Sequence, residues 1–547
     1  MMKRFYLVAL ALCAMLSAQQ PSPAVPTDGA PFKIAGTLVD AVTGAPLSHS
    51  TITLAPVMKR DNTRTVVTAE GGQFLFENLD KGKYVLSAQR RGYISQAFNQ
   101  HDQYSTYIAV GPDLDSTSLV FKLRPESSIL GTIIDNYGEP VANAQVRLFQ
   151  ISVPSGRRGV GLQRRLVTND EGLYRFSHLP PGDYYLAVSA RPWYVEDNRI
   201  RTNIQPKVVQ PVQEDDPALD MAYPITFFPG VTEWNAARVI PLGVSGSFTA
   251  DIILQPVRAA HVHIKSRDLD PSRGLTATLT QTVAGDMAMD ISPVISFSAK
   301  NEIELTGFAP GNYKLGLSIT NSSEPGQKVL NRSSRLLDAS ANAEVSVEQS
   351  VPAVSVTGSV KLDSGSLPAR GALQLRERYT GEAVYATISP QGEFEFSQGV
   401  LPGMYDLVVS NLPDMFVRSI SAADGKVTGQ TVSIGSSPAK LTVTLTQGTA
   451  KIDGVAQREG KPVSGAMILL VPQDPSSNPG LFRRDQSDSD GSFALAAVLP
   501  GKYTALALEN GWEMEWSNPE VLKPFLPGGE AIQVEAKGNY VLKLKVQ

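Results

Sequence analysis

The sequence predicts an all-β protein built from five tandem β-sandwich domains of about seven strands each. Three observations predict this class. A ten-residue phrase occurs five times, at intervals of 92 to 129 residues. Apolar and polar residues alternate on both sides of each copy, as in half-buried strands. Turn residues separate the alternating runs, with 45 glycines and 38 prolines among 547 residues.

The recurring phrase predicts a turn followed by a strand. Its copies read LDKGKYVLSA, LPPGDYYLAV, FAPGNYKLGL, LPGMYDLVVS and LPGKYTALAL, with glycine at Gly82, Gly182, Gly311, Gly403 and Gly501. Pro-Gly is typical of a type II turn, in which the glycine has a positive φ. The tyrosine two residues later is predicted to bury its ring and return its hydroxyl to the backbone.

Other strands of the unit also repeat. Before the phrase stand GGQFLF, EGLYRF, QGEFEF and DGSFAL, each a glycine turn followed by an F-x-F type strand. The third unit has only KNEIEL and is the most diverged. Each unit opens with a strand that begins at Ile34, Ile129, Val356 or Ile452 and contains glycine. Each closes with an alternating run, LVFKLRP, ADIILQP, KLTVTLTQ or YVLKLKV.

The combined pattern G-x-V-x-D, G-x-P, A-x-V-x-L, G-x-F-x-F and P-G-x-Y-x-L resembles the carboxypeptidase regulatory-like domain. The resemblance implies an immunoglobulin-like or transthyretin-like (prealbumin-like) sandwich of the carbohydrate-binding-like fold. It covers nearly all of the chain after the leader and is weakest in the third unit. Tandem copies behind a signal peptide are similar to exported proteins of Gram-negative bacteria. The shared residues belong to turns and cores, so they imply little about activity.

The repeat predicts the domain organisation. Residues 1–18 are predicted to be a signal peptide, because Lys3 and Arg4 precede an apolar run too short to span a membrane. The predicted sandwiches span 28–125, 126–256 (with inserts), 257–350 (diverged), 351–448 and 449–547. Short linkers between them favour an elongated, semi-rigid array. Cys13, the only cysteine, lies in the leader, and a lipid anchor there is the alternative to cleavage after Ala18.

Charge and residue content exclude several functions. The chain has 49 basic and 53 acidic residues, which argues against nucleic acid as the main partner. No later apolar run reaches the length of a transmembrane helix. The five histidines form no zinc-peptidase motif, and His261 and His263 are interpreted as residues of an opening strand. Asp490 and Gly491 are interpreted as a turn in preference to a calcium site. No catalytic residue, metal or cofactor is expected.

Aromatic residues outside the repeated phrase are the candidate ligand-binding residues. They are Trp193, Tyr194, Trp234, Trp512 and Trp516. Flat rings beside Asn, Asp and Arg suit stacking on sugar rings, but the same rings could instead cap a sandwich or fill a contact between domains. The insert 150–166 carries Arg157, Arg158, Arg164 and Arg165, and a solvated hairpin tip is favoured over a docking loop.

The leading hypothesis is a non-enzymatic exported protein, a multi-domain spacer or binding rod that is secreted or lies in the periplasm or on the outer cell surface. One alternative is a carbohydrate-binding protein that uses the aromatic loops of the second and fifth domains. Another is an accessory subunit of a secretion or hydrolase system. The expected partners are polysaccharide or envelope proteins.

Overall fold

The computed structural model describes residues 32–58, 62–153, 156–195, 219–266, 269, 274–284, 287–299, 301–320, 329–339, 343–346, 351–362, 371–378, 383–412, 415–423, 426–476 and 478–547. The predicted signal peptide lies outside these residues. The described chain is almost entirely β-structure, and its sheets fall into five successive pairs. Each pair encloses its own apolar cluster, so the predicted all-β sandwich class is confirmed.

The first two sandwiches are described by these strands. The first contains β1 (Phe32–Asp40), β2 (Thr51–Pro56), β3 (Arg64–Val67), β4 (Gln73–Leu79), β5 (Gly82–Gln89), β6 (Gln96–Ala97), β7 (Ile108–Val110) and β8 (Leu119–Leu123). The second contains β9 (Ser127–Asp135), β10 (Gln145–Ser152), β11 (Gly159–Val167), β12 (Leu173–Leu179), β13 (Gly182–Ser189), β14 (Met221–Ala222), β15 (Thr226–Phe227), β16 (Ile240–Leu242), β17 (Ser247–Thr249) and β18 (Ile252–Leu254). A short β19 (Val257–Arg258) pairs back with β14.

The third and fourth sandwiches follow the same plan. The third contains β20 (Val262–Lys265), β21 (Gly274–Ala284), β22 (Met287–Ile291), β23 (Val294–Ala299), β24 (Glu302–Thr306), β25 (Asn312–Thr320), β26 (Val329–Asp338) and β27 (Ala343–Ser346). A short β28 (Val351–Pro352) pairs back with β26. The fourth contains β29 (Val356–Leu362), β30 (Ala372–Glu377), β31 (Ala383–Thr387), β32 (Glu393–Glu395), β33 (Gly403–Ser410), β34 (Met415–Ala422), β35 (Val427–Thr428), β36 (Thr431–Ile434) and β37 (Ala439–Gln447).

The fifth sandwich also carries short helices. Its strands are β38 (Ala450–Arg458), β39 (Lys461–Pro462), β40 (Met467–Pro472), β41 (Arg483–Gln486), β42 (Ser492–Val498), β43 (Gly501–Leu508), β44 (Glu530–Val534) and β45 (Asn539–Lys545). An α-helical turn spans Pro519–Leu522, and single 3-10 turns span Pro479–Leu481, Gly511–Glu513 and Leu526–Gly528. A further 3-10 turn, Trp234–Ala236, lies in the second sandwich. Asn518 caps the α-helical turn by accepting from the Glu520 amide.

One topology recurs in the five sandwiches. In the first sheet, the opening strand pairs antiparallel with the strand that precedes the phrase and parallel with the closing strand, as β1 does with β4 and β8. The fifth sandwich repeats this order with β38 between β42 and β45. In the second sheet, the tyrosine strand pairs antiparallel with the second strand of the unit, as β5 does with β2. The phrase therefore leads from one sheet to the other.

The tyrosine of each phrase closes this turn. Its hydroxyl donates to the carbonyl four residues earlier, at 2.7 to 2.9 Å, in Tyr84, Tyr184, Tyr313, Tyr405 and Tyr503. All five rings are buried. Burial raises the pKa of each phenol, which keeps the hydroxyl protonated as a donor. The predicted return of the hydroxyl to the backbone is confirmed in each unit.

The predicted type II turn is wrong in every unit. Gly82 and Gly182 have φ of 157° and 152°, far from the value of about +80° that this turn requires. Gly311, Gly403 and Gly501 do not have φ in the left-handed region. Each of these last three glycines makes room for the tyrosine ring. A Cβ there would lie 3.2 to 3.5 Å from a ring carbon of Tyr313, Tyr405 or Tyr503. The left-handed residue stands four positions before the glycine in every unit, at Asn78, His178, Gly307, Gly399 and Ala497.

The glycine of the opening strand also has a packing role. Gly358 lies opposite Phe394 and beside Leu441 of the parallel closing strand. A Cβ on Gly358 would approach the Leu441 carbonyl oxygen to 2.1 Å and the Phe394 ring to 2.6 Å. The same antiparallel pairing joins glycine to Phe or Tyr in three other units, Gly36–Phe74, Gly131–Tyr174 and Gly454–Phe493. In the third sandwich, Ile264 lies opposite Ile303. Glycine therefore occurs in the opening strand where the residue opposite it is aromatic.

Sandwiches that are distant in the sequence also contact each other. The first sandwich touches the fifth through hydrogen bonds between residues 380 to 409 positions apart. The tip of the second sandwich's insert also reaches the fifth, where the Gly156 carbonyl accepts from the Ser517 amide at 2.9 Å. The structure thus differs from the extended array that the short linkers predicted, because contacts distant in sequence bring the ends of the array together.

Candidate functional site

The contact between the first and fifth sandwiches, here called the seam, joins residues 99–109 to residues 484–492. Its centre is made by the backbone. The Ser489 amide donates to the Tyr107 carbonyl at 2.9 Å, and the Ala109 amide donates to Ser489 Oγ at 2.8 Å. The Tyr107 amide donates to Asp488 Oδ1 at 3.0 Å. Two irregular segments therefore lie side by side in a fixed register.

Gln486 is a fully enclosed polar side chain of the seam, with 1 % of its surface exposed. Its Nε2 donates to the Asn99 carbonyl at 2.7 Å and to Thr106 Oγ1 at 2.8 Å. Its Oε1 lies 3.1 Å from His101 Nδ1, so the imidazole donates there. Burial lowers the pKa of His101, which favours the neutral ring. The His101 ring stacks on Trp512 at 4.8 Å between centroids.

Charged groups flank this centre. Lys83 Nζ contacts Asp488 Oδ2 at 2.5 Å, while burial raises the pKa of Asp488 to about 6 despite that lysine. The Arg484 guanidinium lies 4.2 Å from the Trp516 ring centroid and 5.2 Å from that of Tyr104. Arg484 also lies 3.5 Å from Asp102. The seam is a polar, sterically specific contact, unlike the apolar cores on either side.

Three of the five predicted ligand-binding aromatics are covered by protein. Trp512 is half-buried at the seam and donates from Nε1 to the Gly465 carbonyl. Trp516 is 8 % exposed and packs on Phe482. Trp234 packs among Phe149, Tyr185 and Phe227 in a cluster shared by the second and third sandwiches. These faces are engaged in contacts within and between domains, which is the interpretation of the rings that the sequence favoured over sugar binding.

The other two aromatics form an open surface on the second sandwich, here called the aromatic surface and defined by Tyr137, Trp193 and Tyr194. Trp193 is 63 % exposed and meets Tyr194 edge to face at 5.8 Å. Tyr137 is 82 % exposed. Burial is the main cause that raises the pKa of the Tyr194 phenol, with smaller contributions from Tyr137 and Asp135. Sequence reasoning missed Tyr137. Its signal was an aromatic residue inside an otherwise polar turn, DNYGEP.

The arginine insert divides into a docked tip and an exposed strand. Val153 packs against the apolar cluster on the outer face of the fifth sandwich. Arg157 and Arg158 are exposed, and Arg164 donates to the Ser177 and His178 carbonyls. The favoured solvated tip is therefore wrong for Val153 and Gly156, because the fifth sandwich covers them.

Two histidines at the start of the third sandwich lie in a charged cluster: His263 belongs to β20, and His261 immediately precedes that strand. His261 contacts Glu304 Oε1 at 2.6 Å through Nδ1 and Asp220 Oδ1 at 2.9 Å through Nε2. His263 lies 3.3 Å from Glu302 Oε1 and 3.9 Å from Glu304 Oε1. The hydrogen bond to Glu304, together with Asp220, raises the pKa of His261 to about 9. Protonated His261 thus bridges the second and third sandwiches. No set of three metal-ligating side chains suited to an ion occurs among the described residues.

This bridge predicts a loss of stability at alkaline pH. The pKa of His261 exceeds its ordinary value of 6.5, so its contribution is complete below pH 6.5 and is lost as the pH rises through about 9. We expect the second and third sandwiches to lose about 1–3 kcal/mol of unfolding free energy over that interval. Urea unfolding of wild type and His261→Gln between these pH values measures it. Parallel pH profiles for the two proteins would contradict the assignment.

Comparisons with known proteins agree with the repeated pattern. Residues 33–122 and 128–205 match the family model of the carboxypeptidase regulatory-like domain. The predicted resemblance is therefore confirmed in the first two units. No curated protein sequence matches the chain. No helix among the described residues is long and apolar enough to cross a membrane.

Solved structures with partial likeness include several bacterial pilins. A streptococcal ancillary pilin is 11% identical, with 57% of this chain and 97% of the pilin covered and a TM-score of 0.19. The minor pilin of Streptococcus agalactiae is 14% identical, with coverages of 41% and 96% and a TM-score of 0.20. The major pilin subunit BcpA of Bacillus cereus is 8% identical, with coverages of 94% and 99% and a TM-score of 0.14. These TM-scores are too low to carry an argument about shape or function.

Proposed function

We propose that this chain, whose residues 33–122 and 128–205 match carboxypeptidase regulatory-like domains, is a non-enzymatic exported protein that binds polysaccharide through the aromatic surface. The observation that carries the ligand class is the exposure of Trp193 and Tyr137, at 63 % and 82 %. Exposed rings that lie side by side offer a surface for a ligand, and flat rings stack on the C–H faces of sugars.

The repeated residues support a non-enzymatic role. The phrase tyrosines bond to the backbone, and the paired glycines and aromatic rings fill the sandwiches. The aromatic surface lies on a polar turn and at the end of the described part of an insert, where loops carry binding residues on a rigid scaffold. Export is supported by the predicted leader. The seam favours a folded-back scaffold over a spacer whose purpose is length.

Retention on insoluble polysaccharide tests this function. We expect wild type to bind at least one of cellulose, chitin and peptidoglycan, without release of soluble sugar. Trp193→Ala combined with Tyr137→Ala should weaken retention at least tenfold, since stacking on two rings is lost. Base stacking on aromatic residues is worth about 1–3 kcal/mol per ring, which sets the scale. Tyr385→Ala is the matched control, because Tyr385 is also 63 % exposed but lies on the fourth sandwich.

The result is decisive in both directions. Retention that survives the double change, or that falls equally in Tyr385→Ala, rejects the aromatic surface. Wild type that is retained by none of the polymers rejects polysaccharide as the ligand class. Release of soluble sugar by purified wild type would reject the non-enzymatic role.

A further inference from the structure

The seam differs from the contacts between sandwiches adjacent in sequence in how the chain connects its two sides. Sandwiches adjacent in sequence are joined by a few residues, such as Arg124 and Pro125 after β8. The two sides of the seam are joined only through the second, third and fourth sandwiches. A neighbouring copy of the chain can therefore supply either side without breaking a covalent connection.

The chemistry of the seam suits separation and re-formation. Its main groups are Gln486, Asp488 and Arg484, together with backbone amides and carbonyls, and Lys83 flanks Asp488. Water satisfies such groups when the two sides part, whereas an exposed apolar core would favour aggregation. Interfaces of this polar kind are typical of domains that associate reversibly.

The two sides are also unlike each other. The first sandwich contributes residues 99–109, and the fifth contributes residues 484–492. A contact between unlike surfaces is heterologous. Its two sides can belong to one chain, or each chain can contact the next in a head-to-tail series. Exchange between copies reproduces every seam contact, and the Gly156–Ser517 contact as well when the second sandwich moves with the first. The two forms then differ in the entropy of the chain connection and in their dependence on concentration.

We propose that the seam is also an interaction surface between copies, in which the first sandwich of one chain takes the fifth sandwich of another. The closed single chain predominates in dilute solution, because its two sides are tethered. Pairs and longer head-to-tail assemblies grow with concentration. An assembled form would present several aromatic surfaces on one particle, but the seam proposal does not depend on polysaccharide binding.

Cysteine trapping tests this proposal cleanly, because Cys13 is the only cysteine of the chain. In a Cys13→Ser background, one chain carries Ala109→Cys and a second carries Ser489→Cys. These positions meet across the seam, where the Ala109 amide lies 2.8 Å from Ser489 Oγ. When the two chains are mixed and oxidised, a disulfide between them can form only between copies. The chain with both changes reports closure within one copy.

We expect the mixture to form a covalent heterodimer whose fraction rises about tenfold for a tenfold rise in concentration, while dimers are scarce. The doubly changed chain should form an internal disulfide at low concentration. Val541→Cys, at a position on the fifth sandwich that is 80 % exposed, is the control partner for Ala109→Cys. Excess cysteine-free chain should compete with heterodimer formation.

Two outcomes overturn the proposal. In one, the doubly changed chain closes internally but the mixture forms no more heterodimer than the Val541 control. In the other, the doubly changed chain does not close at all, so the seam itself does not form. Either result leaves polysaccharide retention to be judged separately.

Discussion

Replacing Gly358 by alanine should unfold the fourth sandwich before the others. The added Cβ would lie 2.1 Å from the Leu441 carbonyl oxygen and 2.6 Å from the Phe394 ring, and the carbonyl belongs to a paired strand that cannot yield cheaply. We expect a loss of about 3 kcal/mol or more, as for overpacked cores. Hydrogen exchange of each sandwich in increasing denaturant measures it.

Gly435→Ala is the matched control for this change, because a Cβ there meets nothing within 4 Å and its φ is not left-handed. The third sandwich suggests a compensating pair, since Ile264 faces Ile303 there. We expect Gly358→Ile with Phe394→Ile to recover part of the stability lost in Gly358→Ile alone, because the ring is gone while the carbonyl contact remains. Equal stability of Gly358→Ala and Gly435→Ala would refute the packing role.

Truncating Tyr503 should have the second large effect. Its ring is 3 % exposed in the core of the fifth sandwich, and its hydroxyl donates to the Leu499 carbonyl at 2.8 Å. Tyr503→Ala should cost the fifth sandwich about 3–5 kcal/mol, as for other buried aromatic residues. Tyr503→Phe should cost about 1 kcal/mol, because only the hydrogen bond is removed. Exchange of β43 amides in denaturant reports both values.

The two Tyr503 variants separate packing from hydrogen bonding. If phenylalanine costs as much as alanine, the hydroxyl bond dominates and the ring's burial contributes little. If phenylalanine costs nothing, the repeated hydroxyl bond is not a source of stability. The same pair of changes at Tyr184, which is fully buried and bonds to the Pro180 carbonyl, provides an independent repeat in the second sandwich.

The sandwich fold was predictable because its signals are local and repeated. Features that depend on tertiary contacts could not be predicted from the sequence. Period-two alternation and the recurring tyrosine depend on neighbours along the chain, so five copies reinforced one another. The sequence showed a glycine in the opening strand but not its packing role, because Leu441 and Phe394 reach Gly358 only through strand pairing. The turn type failed since the positive φ lies four residues upstream, as at Ala497.

The seam had no repeated signal. Gln486 and Asp488 stand in one unit only, and their partners lie almost the whole chain away, so spacing could not pair them. For the same reason, Trp512 and Trp516 were indistinguishable from ligand-binding rings until their neighbours His101 and Arg484 were known. An acidic run that occurs in one unit of a repeat, as around Gln486 and Asp488, indicates that this unit contacts another domain.

The parallel pairing of first and last strands has a consequence for synthesis. The partner of β38 on one side is β45, which the ribosome adds some eighty residues later. Until then, the edge of β38 has no partner of its own and is open to pairing with another nascent chain. Each unit therefore stays unfinished during elongation, and it is completed only when its last strand has been synthesised.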